Sequence, residues 1–281
     1  MARPLEIRSS GLTDRGRVRE HNEDHFLVAE LRRMMVVEAT SLSQPSALFG
    51  SHRGHMLAVA DGMGGHRAGE QASALALVTV EQFMLNTLRW FLQLKGEGSL
   101  LEFQEALRSA DARIFEAARN APELKGMGTT LTMAYVIDGT LYLVHAGDSR
   151  CYLLRAGELH QLTRDHTLVA QMVQAGALSE SDVKTSPFRN VITNAVGGND
   201  PGVKAEVNKL TLEADDVLML CSDGLSGMVA DADIEKVLSG VRDPGTACAQ
   251  LVARANEAGG TDNVTVIVGR VEASREPETL Q

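Results

Sequence analysis

Leu131-Thr132-Met133-Ala134-Tyr135-Val136-Ile137-Asp138-Gly139-Thr140-Leu141-Tyr142-Leu143-Val144 decides the fold class. Leu131, Met133, Tyr135 and Ile137 alternate with smaller or polar residues, the period of a strand. Asp138-Gly139 stands between that run and residues 141–144. Both residues tolerate positive φ, so the pair is the strongest short hairpin signal available. A hairpin forces its two strands to be antiparallel. Residues 151–155, a turn at Ala156-Gly157 and residues 158–162 read as a second hairpin.

Outward from these hairpins the pattern changes. Val217-Leu218-Met219-Leu220-Cys221 is a continuous apolar run, as in a strand covered on both faces. Val264-Thr265-Val266-Ile267-Val268 makes a final strand, and residues 56–60 another. Leu77, Val80, Met84, Leu88 and Phe91 recur at helical spacing, as do Leu100, Phe103, Leu107, Ala110, Ile114 and Ala117. Lys95-Gly96-Glu97-Gly98-Ser99 separates these stripes, its glycines breaking one helix and its serine able to cap the next. The pair predicts an antiparallel helical hairpin. Ala247, Leu251, Val252 and Ala255 give a helix over residues 245–258 an inner side.

This order is not a regular βαβ alternation, so the fold class is α+β, with antiparallel sheets and helices packed outside. Residues 39–54 hold no sustained period and read as a loop. Residues 165–202 hold a short helix and a glycine-rich exit and read as a surface excursion. We expect one domain over residues 1–272 and a frayed polar tail over 273–281.

The 281 residues carry 44% apolar and 23% charged side chains, which excludes a disordered chain, and 26 Gly and 7 Pro without period exclude a collagen-like one. Aromatics are 4%, so the core is aliphatic. A net charge of −10 is the wrong sign for a general nucleic-acid binder. Cys151, Cys221 and Cys248 are odd in number and irregularly spaced, which fits neither a disulfide framework nor a zinc site and points to a reducing compartment. No apolar run reaches the roughly 18 residues of a membrane span, and the N-terminus lacks a signal-peptide stretch. The expectation is a cytoplasmic monomer with no membrane or nucleic-acid partner.

The informative pattern is where the acids fall. Residues 56–60 run into Asp61-Gly62-Met63-Gly64-Gly65, 141–146 into Gly147-Asp148-Ser149-Arg150, and 217–221 into Ser222-Asp223-Gly224, while Asp262-Asn263 opens the last strand. Turn chemistry explains any one Asp-Gly, and explains Asp138-Gly139 fully. It explains Asp61 less well, because a five-residue turn before a long helix exceeds what a hairpin needs. Converging carboxylates repel, and a hard divalent cation is the remedy. Oxygen ligands without a Cys or His cluster favour Mg²⁺ or Mn²⁺ over zinc. Two such ions about 3.5–4 Å apart can activate a water against phosphorus or a carbonyl. Glu23 and Asp24 are further ligand candidates. Arg15, Arg17 and Arg19 are either a solvated charge run or anion ligands, a guanidinium being able to clamp two phosphate oxygens.

Taken in order, Arg19-x-x-Asn22-Glu23-Asp24, Asp61-Gly62-Met63-Gly64-Gly65-His66, Gly128-Thr129-Thr130, Gly147-Asp148-Ser149-Arg150, Asp165-His166-Thr167, residues 189–193, residues 221–225 and residues 260–265 resemble the metal-dependent protein phosphatases of the type-2C (PPM) family, in its bacterial single-domain branch. The resemblance spans about residues 7–271. It implies two packed antiparallel β-sheets, a β-sandwich flanked by α-helices on both outer faces. It implies a Ser/Thr phosphoprotein phosphatase, using two Mn²⁺ or Mg²⁺ ions and opposing a bacterial Ser/Thr kinase. By the same resemblance, Asp61 bridges the ions and Asp223 and Asp262 complete the first. The Gly62 carbonyl and Glu23, with Asp24 beside it, serve the second. Asp148 with Asp223 matches a weaker third site, and Arg19 the phosphate-binding arginine. A metal-bridging water attacks in line with no phosphoenzyme intermediate. Residues 165–202 match the variable flap.

Two departures stand out. Animal relatives place a histidine, the proposed general acid, where this chain has Met63, which has no proton to give. His66 is then either a candidate acid or a packing residue at a helix start. Some relatives carry an Asp where this chain has Gly227, which weakens the case for the third ion. The competing function is a catalytically inactive family member acting as a phosphoprotein-binding module. The full set Arg19, Glu23, Asp24, Asp61, Gly62, Asp223 and Asp262 argues against it. A two-metal nuclease or phosphodiesterase is disfavoured by the acidic charge.

Overall fold

A computed structural model describes residues 5–33, 52–64, 67–87, 98–199 and 201–273. The deciding hairpin forms as read. β5 (Leu131–Ile137) and β6 (Thr140–Ala146) pair antiparallel with Ile137 opposite Thr140. Asp138 and Gly139 take φ of 48° and 72°, the two left-handed residues of a type I′ turn. The second hairpin joins β7 (Arg150–Arg155) and β8 (Glu158–Gln161) through Ala156 and Gly157, with φ of 52° and 86°.

Two sheets result. In the first, β3 (His52–Met63) pairs with β5 on one side and β2 (Asp24–Arg33) on the other, and β6 carries β10 (Glu206–Thr211) at its outer edge. The last two residues of β3 pair with β4 (Gly128–Thr129), which pairs with β9 (Val196–Gly197). In the second sheet, β1 (Leu5–Asp14), β12 (Val264–Ala273), β11 (Val217–Cys221), β7 and β8 follow in that order. Every pairing is antiparallel.

Strand alternation sorts the side chains into three cores. Leu57, Val59, Ala134 and Val136 meet Leu153, Leu218, Leu220 and Ile267 between the sheets. Met56, Ala58, Met133 and Tyr135 point the other way, onto Val80, Leu107 and Ile114 of α1 (Arg67–Thr87) and α2 (Gly98–Asn120). Tyr152, Met219 and Val266 cover the far side against Ile234, Leu238 and Leu251 of α5 (Asp231–Gly240) and α6 (Pro244–Glu257). The order is helix, sheet, sheet, helix, the β-sandwich with helices on both outer faces. Central strands are covered twice, which is why β11 reads as an unbroken apolar run. α6 is capped by the Asp243 carboxylate, which accepts the Thr246 N–H at 2.9 Å, with Pro244 in its first turn. Among the described residues no helix is long and apolar enough to cross a membrane.

Several expectations need correction. Residues 52–54, read as loop, begin β3, because the register with β2 and β5 continues through them. His52 and His55 therefore lie in a strand; the rest of the expected loop, through Ser51, falls outside the described residues. α2 starts at Gly98, inside the expected break, while Leu88, Phe91 and residues 95–97 lie outside the description. The 165–202 stretch does hold a short helix, α3 (Leu168–Gln174), but its end is strand β9 in the first sheet, so it is not wholly a surface excursion. β12 runs through Ala273, where the tail was expected to start, because β1 pairs with it to Leu5.

Candidate active site

The register of β2 and β3 sets Asp24 directly opposite Asp61. Like charges facing each other across an antiparallel pair repel, so this placement needs compensation. The Asp61 backbone is held fast. Its N–H donates to Thr130 Oγ1 at 3.0 Å, and its carbonyl accepts from the Thr130 N–H and from Thr129 Oγ1, both at 2.9 Å. The next N–H, of Gly62, donates to the Glu23 carbonyl at 3.2 Å. A Cβ on Gly62 would fall on the Gly69 carbonyl in the first turn of α1, so only glycine lets strand and helix come this close. Ser73 of α1 donates from Oγ to the Glu23 carbonyl at 2.7 Å, and the Glu23 carboxylate lies against Gly69.

The second sheet supplies the other half from the ends of β11 and β12. Asp223 opens the short helix α4 (Asp223–Ser226) straight after β11, and Asp262 and Asn263 precede β12. Asn263 ties the N-terminal segment in: its Oδ1 accepts the Glu23 N–H at 2.8 Å, and its Nδ2 donates to the carbonyls of Arg15 at 2.9 Å and His21 at 2.8 Å. Asp24 Oδ2 accepts from Ser222 Oγ and Thr265 Oγ1, both at 2.7 Å, which bolts the two sheets together. Its Oδ1 is buried with no hydrogen-bond partner. Arg19 pairs through Nη2 with Asp262 Oδ2 at 2.6 Å, its side chain half exposed at the rim.

The electrostatics show the acids sharing one patch. Burial pushes Asp24 up to about 7 despite its two hydroxyl donors, with Asp223 and Asp262 adding to the rise. Burial and then the charges of Asp223 and Asp165 push Asp148 up to about 7. Asp223 rises to about 6 through burial and Asp262. Asp61 stands well above the usual carboxylate range, from burial and from Asp24, Asp223, Asp148 and Asp262 together. Asp61 and Asp223 lie close enough for each to shift the other. Among the described residues, no three acidic, histidine or cysteine side chains close on one point as they stand. Their present partners explain this: Asp262 is turned to Arg19 and Asp24 to two hydroxyls. The donor set still fits a hard divalent cation, since the ligands are all oxygen, one carboxylate oxygen is orphaned, and the carboxyl groups raise one another by a repulsion that a cation relieves.

The structure thus brings Arg19, Glu23, Asp24, Asp61, Gly62, Asp148, Asp223 and Asp262 to one end of the sandwich. Met63 pairs with Gly128 in β3. Gly227 closes α4, its N–H on the Asp223 carbonyl at 2.7 Å. His66 and Gly65 lie outside the described residues. Sequence reading assigned no role to Asn263, Ser222 or Thr265, although all three stood inside the quoted motifs. It also missed how the 165–202 segment is attached. Arg150 forks onto both oxygens of Asp165 at 2.8 and 2.6 Å, and His166 Nδ1 accepts the Gly147 N–H at 3.1 Å, beside Asp148. Burial holds His166 below its ordinary value.

A family description, protein phosphatase 2C, matches residues 44–257. The chain belongs to the protein phosphatase 2C family. Its match leaves Arg19–Asp24 and Asp262–Thr265 outside; the Gly62 N–H and Ser73 hydroxyl on the Glu23 carbonyl and the Ser222 hydroxyl on Asp24 join the first of these to the matched residues. A curated relative, the serine/threonine phosphatase stp of Listeria innocua, is 34% identical over 256 residues, covering 91% of this chain and 92% of the relative. The crystal structure of the Mycobacterium tuberculosis serine/threonine phosphatase PstP/Ppp superposes with a TM-score of 0.78 at 34% identity, over 95% of this chain and 99% of that one. The catalytic domain of PstP in complex with two manganese ions superposes with a TM-score of 0.75 at 33% identity, over 95% and 99%.

Proposed function

We propose that this 2C-family chain is a metal-dependent phosphatase that hydrolyses phosphoserine and phosphothreonine monoesters on proteins, opposing a bacterial Ser/Thr kinase in the cytoplasm. One observation carries the reading: Asp24 faces Asp61 across a strand pair, and with Asp148 and Asp223 they form a patch of mutually repelling carboxyl groups, each raised by burial and by its neighbours, which a divalent cation would relieve. The manganese in the PstP structure supports the choice of Mn²⁺ or Mg²⁺. Asp61, Asp223, Asp262, Glu23 and the Gly62 carbonyl, with Asp24 behind, would hold the two ions. Asp148 with Asp223 would hold a weaker third. When bound, such ions neutralise phosphate charge and make a water acidic enough to attack phosphorus.

The chain's own residues do the rest. Thr129 and Thr130 fix the Asp61 carbonyl and N–H, so the backbone that carries the carboxylate is held in place. Asn263 holds the turn carrying Glu23 in place. Arg19, held at the rim by Asp262, offers its guanidinium to the phosphate oxygens of an incoming phosphoprotein. Met63 has no proton to donate, so the proton for the leaving alkoxide comes from another group. The buried, free cysteines take no part.

Hydrolysis of p-nitrophenyl phosphate and of a phosphothreonine peptide, with Mn²⁺, with Mg²⁺ and with EDTA, tests the reading. Metal-dependent turnover that EDTA stops is expected. Folded protein that turns over neither substrate with either metal, yet binds the phosphopeptide, would install the binding-module function instead.

A further inference from the structure

We infer that Asp111 is a positioning residue for the Asp61-Gly62 corner, acting through the end of the flap segment. Asp111 lies in the middle of α2 and is 6% exposed. Asp is a poor residue for a helix interior, and burying a carboxylate is costly, so α2 itself gives no reason for it. Both of its oxygens are used outside the helix. Oδ1 accepts the Gly197 N–H at 2.7 Å and Oδ2 the Gly202 N–H at 3.1 Å. These are charge-assisted bonds to backbone, among the stronger kind. One helix carboxylate therefore gathers both ends of the turn that closes the 165–202 segment.

Gly197 is not a remote anchor. It belongs to β9, where it pairs with Gly128 while Val196 pairs with Thr129. Those residues of β4 pair in turn with Met63 and Gly62 of β3. Two rows thus cross three strands, Gly197–Gly128–Met63 and Val196–Thr129–Gly62. Thr129 and Thr130 at the centre are the groups that hold the Asp61 backbone. The Gly198 N–H adds a further bond to the Met127 carbonyl at 2.8 Å. The narrow three-strand ladder has α2 at one end and the catalytic corner at the other, and Asp111 is the clamp on its free edge. Releasing the clamp lets β9 lift from β4, and loosens the corner that carries Gly62. The clamp rests on the proposed function only in taking that corner as catalytic.

Amide hydrogen exchange on metal-free protein reads the clamp without reference to activity. In Asp111→Asn, one acceptor oxygen remains, and faster exchange is expected at Gly197 and Gly202 and also at the Gly62 and Thr130 amides, with Leu218 in β11 unchanged. Acceleration confined to Gly197 and Gly202 overturns the inference. Manganese titration calorimetry supplies the second readout. Asp111→Ala should bind Mn²⁺ roughly tenfold more weakly than wild type, with Asp111→Asn in between. Affinity equal to wild type in folded Asp111→Ala overturns the inference as well, and if that variant does not fold, the same criterion applies to Asp111→Asn. Wild-type protein that binds no Mn²⁺ would count against the proposed function, while the exchange comparison still decides the clamp.

Discussion

The first sheet carries an Asp-Gly pair at each end, and the two could hardly differ more. At one end, Asp138-Gly139 turns the chain between β5 and β6, with both residues left-handed and Asp138 exposed. At the other, Asp61-Gly62 stays inside β3, faces Asp24, and lies half-buried beside three further acids, Asp148, Asp223 and Asp262. Gly139 is needed for its φ of 72°, Gly62 for the space that the Gly69 carbonyl leaves. The dipeptide alone carries no chemistry. What converts it into a site is the strand opposite, the threonines that pin its backbone, and the second sheet's β-ends brought against it.

Asparagine at each position tests this most severely. Asp61→Asn should abolish phosphopeptide hydrolysis with the circular-dichroism spectrum kept, and Asp138→Asn should leave the rate unchanged. Comparable rates in the two variants would break the contrast. Alanine at the glycines separates conformation from space. Gly139→Ala should cost about 1–2 kcal/mol of stability from its left-handed backbone and leave activity intact. Gly62→Ala, pushed against backbone, should cost about 1–3 kcal/mol and lose hydrolysis too. Urea unfolding and initial rates report both.

At the rim, Arg19→Ala should raise KM about tenfold with a smaller loss in kcat, since its guanidinium is placed for ground-state phosphate. An unchanged KM would remove Arg19 from the site. The smallest effect is a pH profile of stability. Asp24 and Asp148 near 7 and Asp223 near 6 keep protons in the folded state that the unfolded chain, near 3.8, releases. The stability they contribute is therefore full below about pH 4 and lost as pH climbs toward 7. With chelator, Tm should fall by a few degrees across that window, and Mn²⁺ should restore it most at the upper end. Asp61→Asn should flatten the fall and Asp138→Asn should not.

The sandwich was legible where the signal is local. The type I′ turn follows from Asp138 and Gly139 themselves, and the β11 run from its burial on both faces. The strand-end acids were legible as a pattern, and the family motifs gave them roles. What stayed hidden depends on distant partners. β9 is two residues long and exists because β4 and Asp111 hold it. Residues 52–54 become strand through register with β2 and β5, not through their own period. Asn263 reads as a turn residue until its amide is seen bridging to Arg15, His21 and Glu23, about 240 residues earlier in the chain.

The pairing of β1 with β12 reaches beyond the folded molecule. β12 lies between β1 and β11, so neither neighbour has its full set of partners until residues 264–273 have left the ribosome. Asp262 and Asn263 emerge just before them, and Asp24 waits for Thr265. A growing chain therefore owns Asp61 early but cannot assemble the corner around it. Until residues 262–265 are in place, the corner holds only the half that the first sheet supplies.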